Sequence, residues 1–217
     1  MPSAETPAPD RLSLRHRIED RAGAAVIGAV RLLPYRWRIP AMGWFFRRVL
    51  GPLALNRRVR DNLAHVFPDL PAAEVKRLCA EVCDNFGRSL IELHSGAEFA
   101  RHAATLPIGG PGLAALDEAH AQARPVILVS AHFGNYDAWR AGLTARGFRV
   151  GGLYKPMKNP ASNARYVATI ENVAKPLFPR GNAGMAAMIR FVRSGGMLGV
   201  LGDTHMRHGA LLDFLGQ

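Results

Sequence analysis

Apolar and polar positions follow two different patterns along the chain, and the change falls near residue 100. Before that point, apolar residues recur three or four positions apart, which predicts amphipathic helices over 12–33, 57–67 and 71–98. The second helix is expected to end before Pro68, since the residue preceding a proline avoids the helical conformation. On the third helix, the apolar residues expected to face a core are Leu78, Val82, Phe86, Leu90 and Leu93.

After residue 100, short apolar runs alternate with helical segments. The runs at 126–129, 148–153 and 197–201 predict buried strands. A helix that follows the glycine-rich turn near 109–112 is predicted to end before Arg124. Further helices are predicted over 136–146, 161–174 and 183–194. This alternation predicts an α/β fold, with a mainly parallel sheet flanked by helices and preceded by a helical, basic N-terminal region.

The stretch 126–139 combines a strand, a break and the start of a helix. The predicted strand ends shortly before His132, and Asn135 has the residue type of a helix N-cap. Asp137 follows His132 by five positions and lies in the first turn of the predicted helix. Because ligands of open α/β sheets bind at the carboxyl ends of the strands, His132 and Asp137 are the primary candidates for catalysis.

A histidine and a carboxylate in this arrangement suit general-base catalysis. A neutral imidazole accepts a proton from a hydroxyl, and a carboxylate on the second ring nitrogen orients the ring and stabilises the imidazolium. Gly134 lets a substrate approach the backbone, and the N–H groups at the helix start suit developing negative charge. The chain has no G-x-S-x-G motif, so the nucleophile is expected to belong to the substrate. A strand-end histidine that only caps a turn is the alternative.

The chain is strongly basic, and the charge is concentrated near its N-terminus. The net charge is +11, and residues 1–60 contain twelve arginines against four acidic residues. This imbalance favours an anionic partner: a phospholipid surface, a nucleic acid or an acidic protein. The two cysteines, Cys79 and Cys83, have neither disulfide-framework nor zinc-site spacing, so reduced thiols are expected, as in a cytoplasmic domain.

Residues 11–55 are interpreted as a membrane-associating region that follows a disordered tail at 1–10. At 34–38 and 42–48, aromatic residues stand beside arginines, a combination that suits the headgroup layer of a membrane. The apolar stretch 22–30 is too short for a confident spanning helix, and no clear signal-peptidase site follows it. A pair of packed helices with basic outer faces is the alternative.

Two further patterns suggest a dinucleotide-binding site and a metal site, but neither is supported by the surrounding sequence. The G-x-G-x-x-A run at 110–115 lacks the buried strand that precedes it in dinucleotide-binding folds. Asp203, His205 and His208 match no metal-ligand spacing, and neither a metal nor another cofactor is expected.

The run V-S-A-H-F-G-N-Y-D-A-W-R at 129–140 contains the H-x4-D/E signature of glycerolipid-type acyltransferases. It resembles the lipid A biosynthesis lauroyl/myristoyl acyltransferase family of Gram-negative bacteria. Further segments agree in order between about Leu33 and Gly216: R-x-x-x-N-L followed by F-P at 58–68, G-R-x-x-x-E at 87–92, Y-K-P with N-P at 154–160, and L-L-D-F-L-G at 211–216, which is similar to an F-F-G element.

The resemblance implies functions for residues outside the His132 motif. The candidate substrate contacts are Glu92, Asn135, Lys155, Arg180 and Asp203. Lys155 stands where the family carries arginine, which keeps the charge and loses bidentate geometry. Arg180 is a candidate for contacting a substrate phosphate or, with Lys155, for stabilising the reaction's oxyanion. Asp203 is expected near His132 if their strands are neighbours. For Glu92, a helix-surface ion pair with Arg88 is the alternative.

The function implied by the resemblance is transfer of a fatty acyl chain from an acyl-carrier-protein thioester to a hydroxyl of a lipid A precursor. The implied partners are acyl carrier protein, the lipid acceptor and an anionic membrane surface, without nucleic acid, at the cytoplasmic face of the cell inner membrane. Two alternatives stay open: acyl transfer to a glycerophospholipid or aminolipid, and a non-catalytic basic membrane-binding module. Residues 56–217 are expected to form the acyltransferase domain, which is C-terminally incomplete because family members continue further.

Overall fold

The computed structural model describes residues 13–203, and all structural statements refer to that part of the chain. The helices are α1 Leu14–Arg31, α2 Tyr35–Phe45, α3 Asn56–Val66, α4 Ala72–Leu93, α5 Ala97–Thr105, α6 Leu113–Ala121, α7 Asp137–Ala145, α8 Pro160–Glu171 and α9 Asn182–Arg193. A π-helical segment, Phe46–Leu55, joins α2 to α3. The strands are β1 Val126–Ser130, β2 Val150–Tyr154, β3 Leu177–Pro179 and β4 Met197–Leu201.

The four strands form one sheet in the order β1-β4-β2-β3, and every neighbouring pair is parallel. The predicted α/β class and the parallel sheet are therefore confirmed. The short strand β3 was not expected from the sequence, because its three residues, Leu177–Pro179, include a proline and give no alternating pattern. It lies at the edge of the sheet, where a proline is tolerated.

Glycines in the central strands bring the helices close to the sheet. Gly152 and Gly199 are register partners, and the Cβ positions that they lack point at Arg140 and Trp139 of α7. On the opposite face, Gly151 leaves room for Phe178 and for Phe191 of α9. The sheet is therefore covered by α7 on one face and by α9 on the other.

The prediction that β1 is a buried strand is wrong for two of its five residues. Ile127 and Val129 are 60% and 77% exposed, while Val126 and Leu128 pack into the core under α7. Within residues 13–203, β1 lies at an edge of the sheet, and α9 covers the central strands rather than β1. An uninterrupted apolar run does not show whether its strand is central or peripheral.

The helix predicted over 71–98 is two helices. Gly96 adopts a left-handed conformation, with φ of 56°, and separates α4 from α5. Ser95 supports the turn, because its hydroxyl donates to the carbonyl of Ile91 at 2.7 Å. Small and turn-forming residues at 95–96 were the sequence signal for this break.

The buried face of α4 also differs from the predicted one. Val82 and Phe86 are exposed, and the side that faces the core contains small residues at intervals of four: Cys79, Cys83 and Gly87. A Cβ at Gly87 would lie 2.6 Å from the carbonyl oxygen of Met42, so α2 packs directly on this face. Close helix packing therefore selects the small residues for burial ahead of the bulkier ones. Both cysteines are free and buried.

The N-terminal helices pack onto α4 through a shared apolar cluster. Met42, Phe46 and Ile91 are buried, and α1 contributes to their surroundings. At the start of α2, buried Arg38 donates to Ser95 at 3.1 Å and to Glu98 at 2.7 Å. The outer surface of α2 exposes Trp37 and Trp44, each by 59%. No helix in the described part of the chain is long and apolar enough to span a bilayer.

The glycine at position 199 provides a test of the packing between α7 and the sheet. In Gly199→Ala, the new Cβ would lie 2.5 Å from Cη2 of Trp139, so the helix or the ring must move. We expect a loss of about 1–3 kcal/mol in the free energy of unfolding, as is usual for overpacking. The measurement is the urea midpoint at constant slope.

Gly109→Ala is the matched control for this substitution. Gly109 is exposed, and a Cβ there would meet nothing within 4 Å. Its free energy of unfolding should stay within about 0.5 kcal/mol of the parent. Equal effects of the two substitutions would contradict the close approach of Trp139 to the sheet.

Candidate active site

The neighbouring strands β1 and β4 determine where the candidate residues lie. Their five paired positions run from Val126↔Met197 to Ser130↔Leu201, so both strands end at the same level. Beyond the last pair, the N–H of Gly202 donates to the carbonyl of Ser130 at 3.0 Å. The loop after β1 and the residue after Gly202 therefore meet at the carboxyl edge of the sheet.

His132 contacts Asp203 through two hydrogen bonds at this edge. The backbone N–H of His132 donates to Oδ2 of Asp203 at 2.8 Å, and Nδ1 of the ring lies 2.7 Å from Oδ1. An ionised carboxylate only accepts, so we assign the hydrogen of the neutral ring to Nδ1, which leaves Nε2 as the basic nitrogen. The hydrogen bonds from His132 lower the pKa of the Asp203 carboxyl below its ordinary value.

Asp137 lies in a different environment. It is 2% exposed at the start of α7, and its carboxylate accepts from Arg140 at 2.5 Å. Arg140 is also buried and donates to the carbonyl of Ala174 at 3.1 Å. Burial raises the pKa of Asp137, and the charge and hydrogen bond of Arg140 oppose that rise. Support of the His132 ring by Asp137 stays a prediction, and the carboxylate hydrogen-bonded to that ring here is Asp203.

The loop between His132 and α7 is held at Asn135. Gly134 has φ of 56°, a left-handed conformation in which glycine carries no steric penalty. The side chain of Asn135 accepts from the backbone N–H of Asp137 at 3.2 Å. The prediction of Asn135 as the N-cap is wrong by one residue, because α7 begins at Asp137 and its N-cap is Tyr136. Its amide nitrogen donates to Glu92 of α4 at 2.8 Å.

Glu92 does not form the ion pair that was the alternative for it. Arg88 pairs instead with Asp84, one turn earlier on α4, at a partly exposed position. Glu92 therefore reaches the candidate site through Asn135.

Two tyrosines at the site were not identified from the sequence. The ring of Tyr136 lies edge-to-face against the His132 ring, with centroids 5.1 Å apart, and Tyr166 of α8 lines the same cavity as Tyr136. Burial raises the pKa of both tyrosines above the ordinary value, so both are neutral donors at physiological pH. Tyr136 precedes Asp137 directly and could have been noticed, whereas nothing near Tyr166 in the sequence indicated its position.

A cavity of about 250 Å³ opens beside His132, between α7, α8 and the sheet. Its lining residues are His132, Tyr136, Asp137, Trp139, Arg140, Gly152, Leu153, Tyr154, Lys155, Met157, Tyr166, Ile170, Leu177, Gly199 and Leu201. The walls are largely aromatic and aliphatic, and Lys155 adds a positive charge. The cavity thus combines apolar surface with the His132 ring, one acidic side chain, Asp137, and two basic ones, Arg140 and Lys155.

Arg180 lies apart from this cluster. It follows β3, which is three strand positions from β1, a separation of roughly 14 Å at about 4.8 Å per strand. Its backbone N–H donates to the carbonyl of Tyr154 at 2.9 Å, and its side chain is exposed. The structure therefore brings His132, Asp137 and Lys155 to one cavity and Asp203 to His132, while Arg180 stays outside the cavity lining.

Some sequence expectations fall outside the described residues. They concern His205 and His208, which were considered as metal ligands with Asp203, and the F-F-G-like segment at 211–216. Among residues 13–203, no group of three or more His, Cys, Asp or Glu side chains is placed to hold a metal ion.

The resemblance noted in the sequence is matched by a family model. The model for bacterial lipid A biosynthesis acyltransferases covers residues 8–217. A search of curated proteins finds no significant match. The family match spans the helical N-terminal region, the sheet and the His132 motif, and the chain therefore belongs to the bacterial lipid A biosynthesis acyltransferase family.

Proposed function

We propose that this protein transfers a fatty acyl chain from an acyl-carrier-protein thioester to a hydroxyl of a lipid A precursor, with His132 as general base. Membership of the family supports acyl transfer in lipid A biosynthesis. The observation that carries the mechanistic part is the His132 ring, which lines an apolar cavity and is oriented by a carboxylate on Nδ1.

In the proposed reaction, Nε2 of His132 removes the proton of the acceptor hydroxyl as its oxygen attacks the thioester carbonyl. A bond forms between that oxygen and the acyl carbon, and a tetrahedral oxyanion results. When the intermediate collapses, the carbon–sulfur bond breaks, and the imidazolium returns its proton to the leaving thiolate. The products are an ester and the free thiol of the carrier, so no cofactor is required.

The oxyanion needs positive groups close to the acyl carbon. Lys155 lines the cavity and supplies one ammonium group. In the exposed loop at 131–134, the N–H groups of His132 and Phe133 already donate to Asp203 and to the carbonyl of Ala131, so the N–H of Gly134 is the further candidate donor. Arg180 is better suited to a substrate phosphate at the outer edge of the sheet than to the oxyanion, because β4 and β2 separate it from β1.

The cavity suits the hydrocarbon part of the acyl chain. Leu153, Ile170 and Leu177 provide aliphatic surface, and each methylene buried against such surface contributes roughly 0.8 kcal/mol. The thioester would then lie at the cavity mouth beside His132.

Two carboxylates are available to support the base. Asp203 accepts from the His132 ring and, with a lowered pKa, is anionic throughout the neutral range. Its charge would stabilise the imidazolium as it forms. Asp137 lines the same cavity and is the predicted partner by its spacing in H-x4-D. We propose that both act, Asp203 on Nδ1 and Asp137 by holding the cavity wall together with Arg140.

The basic surface of the N-terminal helices suits an anionic membrane and an acidic carrier protein. Trp37 and Trp44 are exposed on α2, and Arg36, Arg47 and Arg48 are exposed beside them. Tryptophan side chains partition to the headgroup layer, and arginines contact phosphates. These exposed side chains support the proposal that α2 contacts an anionic membrane surface, which the proposed function places at the cytoplasmic face of the inner membrane.

The first test is transfer of a labelled acyl chain from acyl carrier protein to a lipid A precursor, with a lysophospholipid as parallel acceptor. We expect label in the lipid A precursor, and a loss of about 10²–10⁴-fold in His132→Ala, the range of general-base catalysis. His120→Ala is a control outside the cavity lining. Label only in the lysophospholipid would change the acceptor class, and no His132-dependent label with retained vesicle binding would favour a binding module.

The two carboxylates should respond differently to neutralisation. In Asp203→Asn, turnover should fall at least tenfold with the fold retained, because the imidazolium loses its counter-charge. Asp137→Asn leaves Arg140 buried without an anion and should cost about 3–5 kcal/mol of stability. Turnover and thermal unfolding of both variants are the measurements. Full activity in Asp203→Asn, with a folded but inactive Asp137→Asn, would assign the ring contact to Asp137.

Membrane association is tested with the double variant Trp37→Ser/Trp44→Ser. We expect weaker co-sedimentation with vesicles that contain anionic phospholipid, because two aromatic anchors are lost while the arginines that attract the vesicle surface remain. Met185→Ser, at an exposed apolar residue of α9, is the matched control. Unchanged binding of the double variant would exclude α2 as the membrane-contacting surface.

A further inference from the structure

We propose that Glu92 of α4 is a positioning residue, which fixes the loop that carries His132 through the side-chain amide of Asn135. This inference rests on the proposed function for its effect on catalysis, while the contact itself stands on geometry alone. It reassigns both residues, since the sequence had suggested that Glu92 and Asn135 contact substrate.

Both ends of the Asn135 side chain are already engaged. Nδ2 donates to Oε2 of Glu92 at 2.8 Å, and Oδ1 accepts from the backbone N–H of Asp137 at 3.2 Å. The backbone carbonyl of Asn135 also accepts from the N–H of Ala138 at 3.0 Å. A substrate would have to displace these bonds to contact Asn135. The residue is therefore built to join the loop to α4 and to the first turn of α7.

Glu92 is well suited to hold a neutral amide. Within residues 13–203 it has no ion-pair partner, because Arg88 is paired with Asp84. Its neighbours Ile91 and Leu93 are buried in the core, so its backbone position is fixed by packing. A half-buried carboxylate on a rigid helix is a stronger acceptor than an exposed one, because water competes less for it.

The loop needs a fixed point at this end. Residues 131–134 are exposed, and Gly134 lies in the left-handed region. Asp203 holds the loop at His132, and Glu92 holds it three residues later at Asn135. Between these two points the direction of the His132 ring, and hence of Nε2, is defined. Without the contact between Asn135 and Glu92, the His132 ring keeps its hydrogen bond to Asp203. The cavity wall formed by Tyr136 can then move away from the His132 ring.

The test reverses the direction of the hydrogen bond. Asn135→Asp places two carboxylates against each other, so the loop should open. Glu92→Gln keeps an oxygen acceptor for Asn135 and should have a smaller effect. In the double variant, the amide of the new glutamine donates to the new aspartate, which still accepts from the N–H of Asp137. The double variant thus restores the contact with donor and acceptor exchanged. If the two residues did not interact, the effects of the two substitutions would add and the double variant would not recover.

Two readouts are needed, and one of them does not depend on activity. Hydrogen exchange of the peptide containing 131–138 should become faster in Asn135→Asp and Glu92→Ala and return toward the parent rate in the double variant. In the acyl-transfer assay, kcat should fall about 100-fold in Asn135→Asp with KM for the lipid acceptor little changed, because a displaced base affects the reaction step. The double variant should recover most of that loss.

Glu81→Gln serves as control, since Glu81 lies on the same helix and pairs with Arg77 at an exposed position. Its kcat and its exchange rates should match those of the parent. Thermal unfolding of every variant separates loss of positioning from loss of fold.

Several outcomes would overturn the proposal. A folded double variant as impaired as Asn135→Asp, or unchanged exchange in Glu92→Ala, excludes the contact. Faster exchange with unchanged kcat excludes a positioning function. If the parent protein shows no acyl transfer, the proposed function fails, and the exchange experiment still decides whether Glu92 holds the loop.

Discussion

The parallel pairing of β1 with β4 is the constraint on which the candidate site depends. It joins strands from opposite ends of the α/β region and aligns their last residues, so that the loop carrying His132 meets Asp203. The two residues are 71 positions apart in the chain. Closing a loop of that length costs conformational entropy, which the strand hydrogen bonds and the packing of α7 must offset. The contact between histidine and carboxylate therefore exists only when the whole sheet is assembled.

A second long-range connection joins the helical N-terminal region to the same loop. The small residues on α4 allow α2 to approach closely, and the far end of α4 presents Glu92 to Asn135, 43 positions later. The helix α2, which exposes Trp37 and Trp44, thus packs on the helix that contacts the loop carrying His132. The helix α4 therefore connects the N-terminal helices to the candidate site as one rigid element.

Local patterns predicted the elements well and the contacts between them poorly. The strand–helix alternation, the parallel sheet and the position of His132 at a strand end follow from periodicity and turn residues, which are properties of neighbouring positions. The order of strands is not a local property, so the exposure of Ile127 and Val129 at the sheet edge was missed. For the same reason the sequence placed Asp203 near His132 only on the condition that their strands are neighbours. Only the arrangement of the strands brings Asp203 to the ring.

The helix α4 shows the same limit at the level of packing. Hydrophobicity alone selected Val82 and Phe86 for its buried face, whereas the approach of α2 selects Cys83 and Gly87. Which residues a helix buries depends on the distance to its neighbour, and that distance is a tertiary property.

The edge position of β1 has a consequence for the behaviour of the protein in solution. In the part of the chain that the structure describes, β1 pairs on one side only and presents the side chains of Ile127 and Val129 to solvent. A strand with unpaired backbone N–H and C=O groups and exposed apolar side chains is a template for intermolecular β pairing. A lysine at position 127 or 129 is therefore expected to reduce this intermolecular pairing at high protein concentration.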